Sequence, residues 1–284
     1  MSIELVENRY GKSSVRLLEV RRRPDRHDVR EVTVDVACAG DELAAAYATG
    51  DNRHVLPTDT MKNTVYALAR EHSCKEIEDF GLLLGRHFMA HHPQLQQVEV
   101  ALSARHWSRV EVAGRPHPHA FVGSRADRRT ALVRADRQGI AVSAGIADLF
   151  VLKTAGSSFA GFPRDRFTTL PEARDRVLAT RICAEWRYRG ADVDFGFAFA
   201  GIQQRLVETF AMHDSRSLQH TIYAMGEAVL EGFSEVEQIH LTLPNKHYLL
   251  ADLSPFGLDN DNQVFIATDE PYGLIEGTLR ASRP

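Results

Sequence analysis

The chain has 284 residues, 44% hydrophobic and 25% charged, with a net charge of −4 and a pI near 6.4. That is an ordinary globular balance, long enough for two domains, and it gives no electrostatic reason for nucleic acid or an anionic membrane as partner. Three cysteines without paired spacing (Cys38, Cys74 and Cys183) exclude a disulfide framework and a CxxC metal knuckle, and no apolar run approaches the about 18 residues of a membrane span.

Residues 9–22 and 31–40 read as two strands; in the second, Val32, Val34 and Val36 alternate with Thr33, Asp35 and Ala37. The link RPDRHDVR reads as a hairpin loop, and DELAAAY as a short helix. In PTDTMKNTVYALA (57–69), Met61, Val65 and Leu68 form an amphipathic helix face, with Thr58 or Asp59 as its N-cap. A second helix is expected from about Cys74 to His92, ended by Pro93, then a strand through Val98, Val100 and Leu102. More strand-like segments follow at 107–112 and 119–136.

The second half repeats the plan. Strands are expected at 141–153 and 181–189, separated by the insertion TAGSSFAGFPRDRFTTLPEARDRVLAT, which reads as a Gly/Ser-rich loop and a short helix near Pro171. Helices follow at 201–213 and 215–232, then a strand through Ile239, Leu241 and Leu243, with PNKHYLLADL turning into the next. Thr64-Val65-Tyr66-Ala67-Leu68 aligns without a gap on Thr221-Ile222-Tyr223-Ala224-Met225, and Met61 falls opposite Leu218. The pattern is a duplicated α+β domain, 1–138 and 139–284, each an antiparallel sheet with helices on one face. Four strands leave two open sheet edges in each half, so symmetric oligomerisation into a closed barrel is expected.

Metal and nucleotide signals are weak. His87, His91 and His92 contain an i, i+4 pair but no acid between them, and they read as last-turn basic residues complementing a helix dipole. His117-Pro118-His119 reads as a surface loop. The loop between Gly156 and Gly161 fits neither GxGxxG nor GxxxxGK[ST]. The Arg-rich stretches, Arg21-Arg22-Arg23 and Arg125, Arg128 and Arg129, have acids nearby and read as solvated. The N-terminus shows no signal-peptide pattern, and Ala281-Ser282-Arg283-Pro284 is not a Ser-Lys-Leu address. Polar residues at element ends carry more: Lys12 at the first strand's start, Thr58 and Asp59 at a helix start, Phe159 in its loop, Arg176 on the inserted helix, Gln219 in the first turn of the duplicated helix. Asn245 and His247 are two apart, on one side of an extended segment. Taken singly, each also fits a cap, a surface charge or a turn.

Together, YGKSSVRL (10–17), RHVLPTDTMKNTVYALA (53–69), the F-x-G-F loop within 157–188, SLQHTIYAMG (217–226) and LPNKHY (243–248) resemble the urate oxidase family, in the family's order from about residue 9 onward. The resemblance implies tandem tunnelling-fold domains and a homotetramer with active sites at subunit interfaces. It also implies oxidation of urate by O2 and water to 5-hydroxyisourate and hydrogen peroxide, with neither metal nor organic cofactor. Carried onto this chain, Phe159 stacks on the purine while Arg176 and Gln219 grip its polar edge. Leu218, where the family commonly has valine, binds through its backbone N–H. Thr58 and Asp59 reach in from the neighbouring subunit, Lys12 and Thr58 form the catalytic dyad, Asn245 holds O2, and His247 relays protons. A cytoplasmic, bacterial member is expected. The rivals are an enzyme of the same fold acting on pterins or GTP, and an inactive purine-binding protein.

Overall fold

Val32, Val34, Val36 and Cys38 are buried on one face of β2 (His27–Ala39), and their sheet partners repeat the pattern. On β3 (Gln97–Arg105), Val100 pairs with Val36 and Leu102 with Val34; on β6 (Arg128–Asp136), Val133 pairs with Val100 and Ala131 with Leu102. Residues facing each other across an antiparallel pair share a side, so these rows make one apolar surface. In the computed structural model residues 3–123 and 126–282 are described; Arg125 and the terminal Arg283-Pro284 lie outside them.

The chain divides into two units, 1–145 with 187–199, and 146–186 with 200–284. In the first, the strand order is β1 (Tyr10–Arg22), β2, β3, β6 and the start of β7 (Ile140–Lys153). Helix α2 (Thr58–Glu71) packs on β1, and α3 (Ile77–His91) on β3 and β6. Met61 and Val65 of α2 and Phe80, Leu84 and Phe88 of α3 are fully buried. Gly81 permits the close approach: a Cβ there would stand 2.8 Å from both Leu102 and Val133. A separate hairpin, β4 (Ser108–Val112) and β5 (Arg115–Val122), interrupts the β3–β6 connection. A short α1 (Ala44–Thr49) follows one 3-10 turn, Asp41–Leu43.

In the second unit the order is the end of β7, β8 (Leu178–Tyr188), β9 (Val236–Leu250) and β10 (Phe265–Arg280). Helix α5 (Leu218–Gly232) lies on β9 and β10, burying Leu218, Ile222, Met225 and Val229 against Ile239, Leu241 and Leu243. The stripes of α2 and α5 are thus buried at matched positions, while Tyr66 and Tyr223 are exposed on both. Antiparallel sheets with helices on one face make the expected α+β architecture. Among the described residues no helix is long and apolar enough to cross a membrane.

Several local expectations change. The first hairpin is tighter than its polar link suggested: β2 begins at His27, with Val20 paired to Val29. Pro57, not Thr58 or Asp59, is the N-cap of α2, because its fixed φ of −57° already starts the turn and Thr58 is the first helical residue. Helix α3 starts at Ile77 rather than Cys74. His117-Pro118-His119 lies within strand β5, not a loop. No helix forms near Pro171; the backbone of Ala173 is instead exchanged with Phe159, its N–H donating to the Phe159 carbonyl at 2.9 Å. The antiparallel bridge between Phe159 and Ala173 holds this segment extended. Helix α4 (Phe195–Met212) begins six residues before the expected 201, and PNKHY continues β9 instead of turning.

Arg129 corrects the solvated reading of its cluster. Its guanidinium binds Glu76 at 2.6 Å, Glu78 at 2.6 and 3.1 Å and the Phe195 carbonyl at 3.1 Å, and it covers the Phe199 ring at 4.4 Å. Glu78 is fully buried, and burial raises its carboxyl pKa against the lowering pull of Arg129. The bidentate geometry joins the start of α3 to the start of α4 within the first unit.

Candidate functional site

Lys12 stands on β1 just before a register irregularity, half-buried. Thr58 and Asp59 open α2. No side chain caps this helix start, in contrast to α5, where Ser217 Oγ accepts from the His220 N–H at 3.1 Å. The Asp59 carboxylate turns back along its own helix instead, binding Lys62 and, at 2.9 Å, Asn63. The Lys62 hydrogen bond and charge hold its carboxyl below the usual range, and Lys12 adds to the same effect. Lys12 therefore faces the start of α2. Helix α2 packs on β1, the strand that carries Lys12, and the first-turn N–H groups of α2 have no side-chain cap.

The second unit builds its group around Phe159. Gly156 and Gly161, with φ of 71° and 74°, bend the chain on either side of it. The Phe159 N–H donates to the Ala173 carbonyl at 2.8 Å and the reverse bond is 2.9 Å, so the loop is tied to the segment carrying Arg176. The guanidinium carbon of Arg176 lies 5.4 Å from the Phe159 ring centroid. Phe162 stacks on Phe159 at 5.0 Å with 14° between planes. Asp175 Oδ1 accepts from the N–H groups of Ser157 at 3.2 Å and Arg176 at 3.1 Å, so one carboxylate fixes both ends of the loop.

A second tie runs to α5. The Ser158 N–H donates to the Ser215 carbonyl at 2.7 Å, and the Ser215 N–H to the Gly156 carbonyl at 3.0 Å. Ser215 and Thr221, both fully buried, join hydroxyls at 2.7 Å. The start of α5 is thereby held to the loop, Leu218 buried and the Gln219 side chain exposed. Asn245 and His247 both lie on β9, two apart on one side, beside Gly273 and Thr268 of β10. The Thr180 hydroxyl of β8 donates to the Pro244 carbonyl at 2.9 Å and the Thr268 hydroxyl to the His247 carbonyl at 3.2 Å, which hold this stretch of β9.

Arg176 is the electrostatic oddity. Burial lowers its pKa, its Nε is buried without a hydrogen-bond partner, and among the described residues its guanidinium forms no ion pair. A half-buried cation left unpaired beside an aromatic face suits a flat anion. Sequence reasoning missed Asp175, Ser215 and Thr221; the only signal for them was their adjacency to Arg176 and to the duplicated helix. Among the described residues no cluster of three or more His, Cys, Asp or Glu is arranged to hold a metal, and His87 and His91 simply stack at 4.2 Å.

The uricase family model matches residues 8–134 and 142–276. The uricase of Arthrobacter globiformis is 44% identical over 278 residues, covering 98% of this chain and 90% of that protein. The uricase of Dictyostelium discoideum is 39% identical over 280 residues, covering 98% of both. The crystal structure of the Arthrobacter globiformis enzyme superposes with a TM-score of 0.95, covering 99% of this chain and 96% of that one. The urate oxidase of Bacillus sp. TB-90 shares the fold at a TM-score of 0.86 and 23% identity, covering 96% of this chain and all of that one.

Proposed function

Because the chain belongs to the uricase family, we propose that it oxidises urate with O2 and water to 5-hydroxyisourate and hydrogen peroxide. The observation that carries this reading is Arg176, an unpaired, half-buried guanidinium against the Phe159 ring. Urate is planar, anionic and electron-rich. Phe159 stacks on it, Arg176 binds adjacent acceptors as a fork, and Gln219 offers a donor and an acceptor to the same edge. The Leu218 N–H adds a donor from the start of α5.

Two electrons leave the urate anion for O2, which takes two protons to become hydrogen peroxide, and water adds to the oxidised ring. Lys12 and Thr58 move protons at one side of the ring, the Thr58 hydroxyl in contact with substrate and Lys12 behind it. Asn245 holds O2 and then water over the ring, and His247 relays a proton. Positioning and exclusion of bulk water are what the protein contributes. The two groups of residues belong to different units, and we place the working site at the interface between copies, with Thr58 and Asp59 supplied by a neighbour in a homotetramer. The duplicated halves, 1–138 and 139–284, join at the turn where the Asp136 N–H meets the Gly139 carbonyl at 3.0 Å, and the two stretches matched by the family model support that boundary. Free thiols at Cys38, Cys74 and Cys183 suit the reducing cytoplasm.

The test is loss of urate's ultraviolet absorbance with stoichiometric peroxide, no metal being added. Lys12→Met and Thr58→Ala should each lower kcat by about 100-fold or more while urate binding changes little. Retained urate binding with no absorbance loss in the unaltered protein would instead mean a purine-binding protein.

A further inference from the structure

Strand β1 carries an irregularity that the reaction as described leaves unused. Lys12 pairs with Val36 and Val15 with Val34, so Ser13 and Ser14 together face the single residue Asp35. This is a β-bulge. Paired residues share a side of the sheet, and Val34 and Val36 are both buried in the core. Lys12 and Val15 therefore both face that side, Val15 itself being 3% exposed. In a regular strand residues three apart point to opposite faces. Without the extra residue, either Val15 would leave the core or Lys12 would point away from α2.

Ser14 takes up the extra length with φ at 58°, the left-handed region that side-chain-bearing residues seldom adopt. Its N–H, turned out of the strand ladder, donates to Asp35 Oδ1 at 2.6 Å. Just before the bulge the two strands are pressed together: a Cβ on Gly11 would stand 1.9 Å from the Val36 carbonyl oxygen. The strand is thus anchored on one side of Lys12 by Gly11 and on the other by Asp35.

We propose that Asp35 is a positioning residue, whose carboxylate holds the Ser14 bulge and thereby aims Lys12 at the start of α2. This rests on the proposed role of Lys12 in proton transfer. The competing account is that the bulge only blunts β1 as an outer strand against unwanted pairing. An edge device affects stability and aggregation, whereas an aiming device affects kcat through Lys12.

The experiment measures kcat and KM for urate in the full-length protein. Asp35→Ala is expected to lower kcat by about 10- to 100-fold, as for a catalytic group displaced by about 1 Å, with KM nearly unchanged. Asp35→Asn keeps an acceptor oxygen for the Ser14 N–H and should retain most of kcat. Adding Ser14→Gly to Asp35→Ala should restore kcat, since glycine holds the positive φ unaided. That rescue also covers the case in which Asp35→Ala folds poorly, because the double variant still lacks the carboxylate. In a Lys12→Met background Asp35→Ala should lower kcat no further. The proposal is overturned if Asp35→Ala keeps wild-type kcat, or if Ser14→Gly restores thermal stability but not kcat. If Lys12→Met itself turns over urate normally, the role of Lys12 fails first and the aiming role of Asp35 fails with it.

Discussion

At the scale of single residues, Arg176 shows how a part-buried guanidinium is left without an ion pair among the described residues. An arginine with this much burial usually finds a carboxylate, and Asp175 is next to it in sequence. The Asp175 carboxylate is instead spent on two backbone N–H groups, of Ser157 and Arg176. The guanidinium is left with the Phe159 ring and an unpartnered Nε. Arg176→Gln should raise the dissociation constant for urate by about 10- to 100-fold, the worth of a lost charge-assisted hydrogen bond. Arg176→Lys should recover little of it, because an ammonium cannot reproduce the planar fork. Isothermal titration with a non-reacting urate analogue separates this effect from turnover. An Arg176→Lys variant that binds like the wild type would show that charge alone matters.

At the scale of elements, two polar clusters decide how the helices are held. Arg129 ties the first turn of α3 to the start of α4 through Glu76, Glu78 and the Phe195 carbonyl. Arg129→Met leaves the fully buried Glu78 without its partner, and should destabilise the protein by about 3 kcal/mol. Pairing it with Glu78→Gln should return part of that loss in a thermal unfolding series, since the stranded charge is then gone. The second cluster closes α4. Lys153 Nζ donates to the His213 carbonyl at 2.6 Å, and the His213 ring meets the His220 ring at 4.3 Å. Burial, then His220 and Lys153, depress the His213 pKa below the ordinary 6.5, while Asp214 opposes them. The folded state thus binds fewer protons than the unfolded chain. Its contribution to stability is present above about pH 6.5 and is lost as pH falls through the lower folded value. A His213→Gln variant should show a flatter fall in melting temperature across that window. Elements of this kind were partly legible in the sequence. The apolar stripes of α2 and α5, the alternation in β2 and the alternation in β9 are periodic, and period survives any context. Arg129 was misread because its partners, Glu76 and Glu78, lie some 50 positions away, where no local pattern records them. Arg176 was placed on a helix because Pro171 looks like a helix start, and only the Phe159 pairing, a long-range bond, decides against it. The polar residues of the candidate site were recognisable as a set of motifs, but Asp35, Asp175 and Ser215 act through backbone groups and leave no side-chain signature.

At the scale of the whole molecule, the matched stripes of α2 and α5 bear on the proposal of a site shared between copies. The repeated helices keep the same buried stripe and have diverged at their starts: α2 opens with Pro57 and no side-chain cap, α5 with a Ser217 cap. If the group carrying Lys12, Thr58 and Asp59 serves a neighbour's Phe159, Arg176 and Gln219, then each working site draws on two copies of the chain. A chain altered at Lys12 still carries a sound second-unit group, and a chain altered at Arg176 still carries a sound first-unit group. The Lys12→Met protein, slow in turnover, and the Arg176→Gln protein, weak in urate binding, should therefore regain activity at low urate when unfolded together and reassembled. Random mixing puts an intact first-unit group against an intact second-unit group in about a quarter of the interfaces of a symmetric oligomer. The recovered rate at low urate should approach that fraction of the wild-type value, with a component of wild-type KM, because the recovered sites contain no altered residue. Mixing the assembled proteins without unfolding should recover much less, at a rate set by subunit exchange. If the site lay within one chain, every mixed oligomer would contain only defective sites, and reassembly would leave activity at the level of the two separate variants.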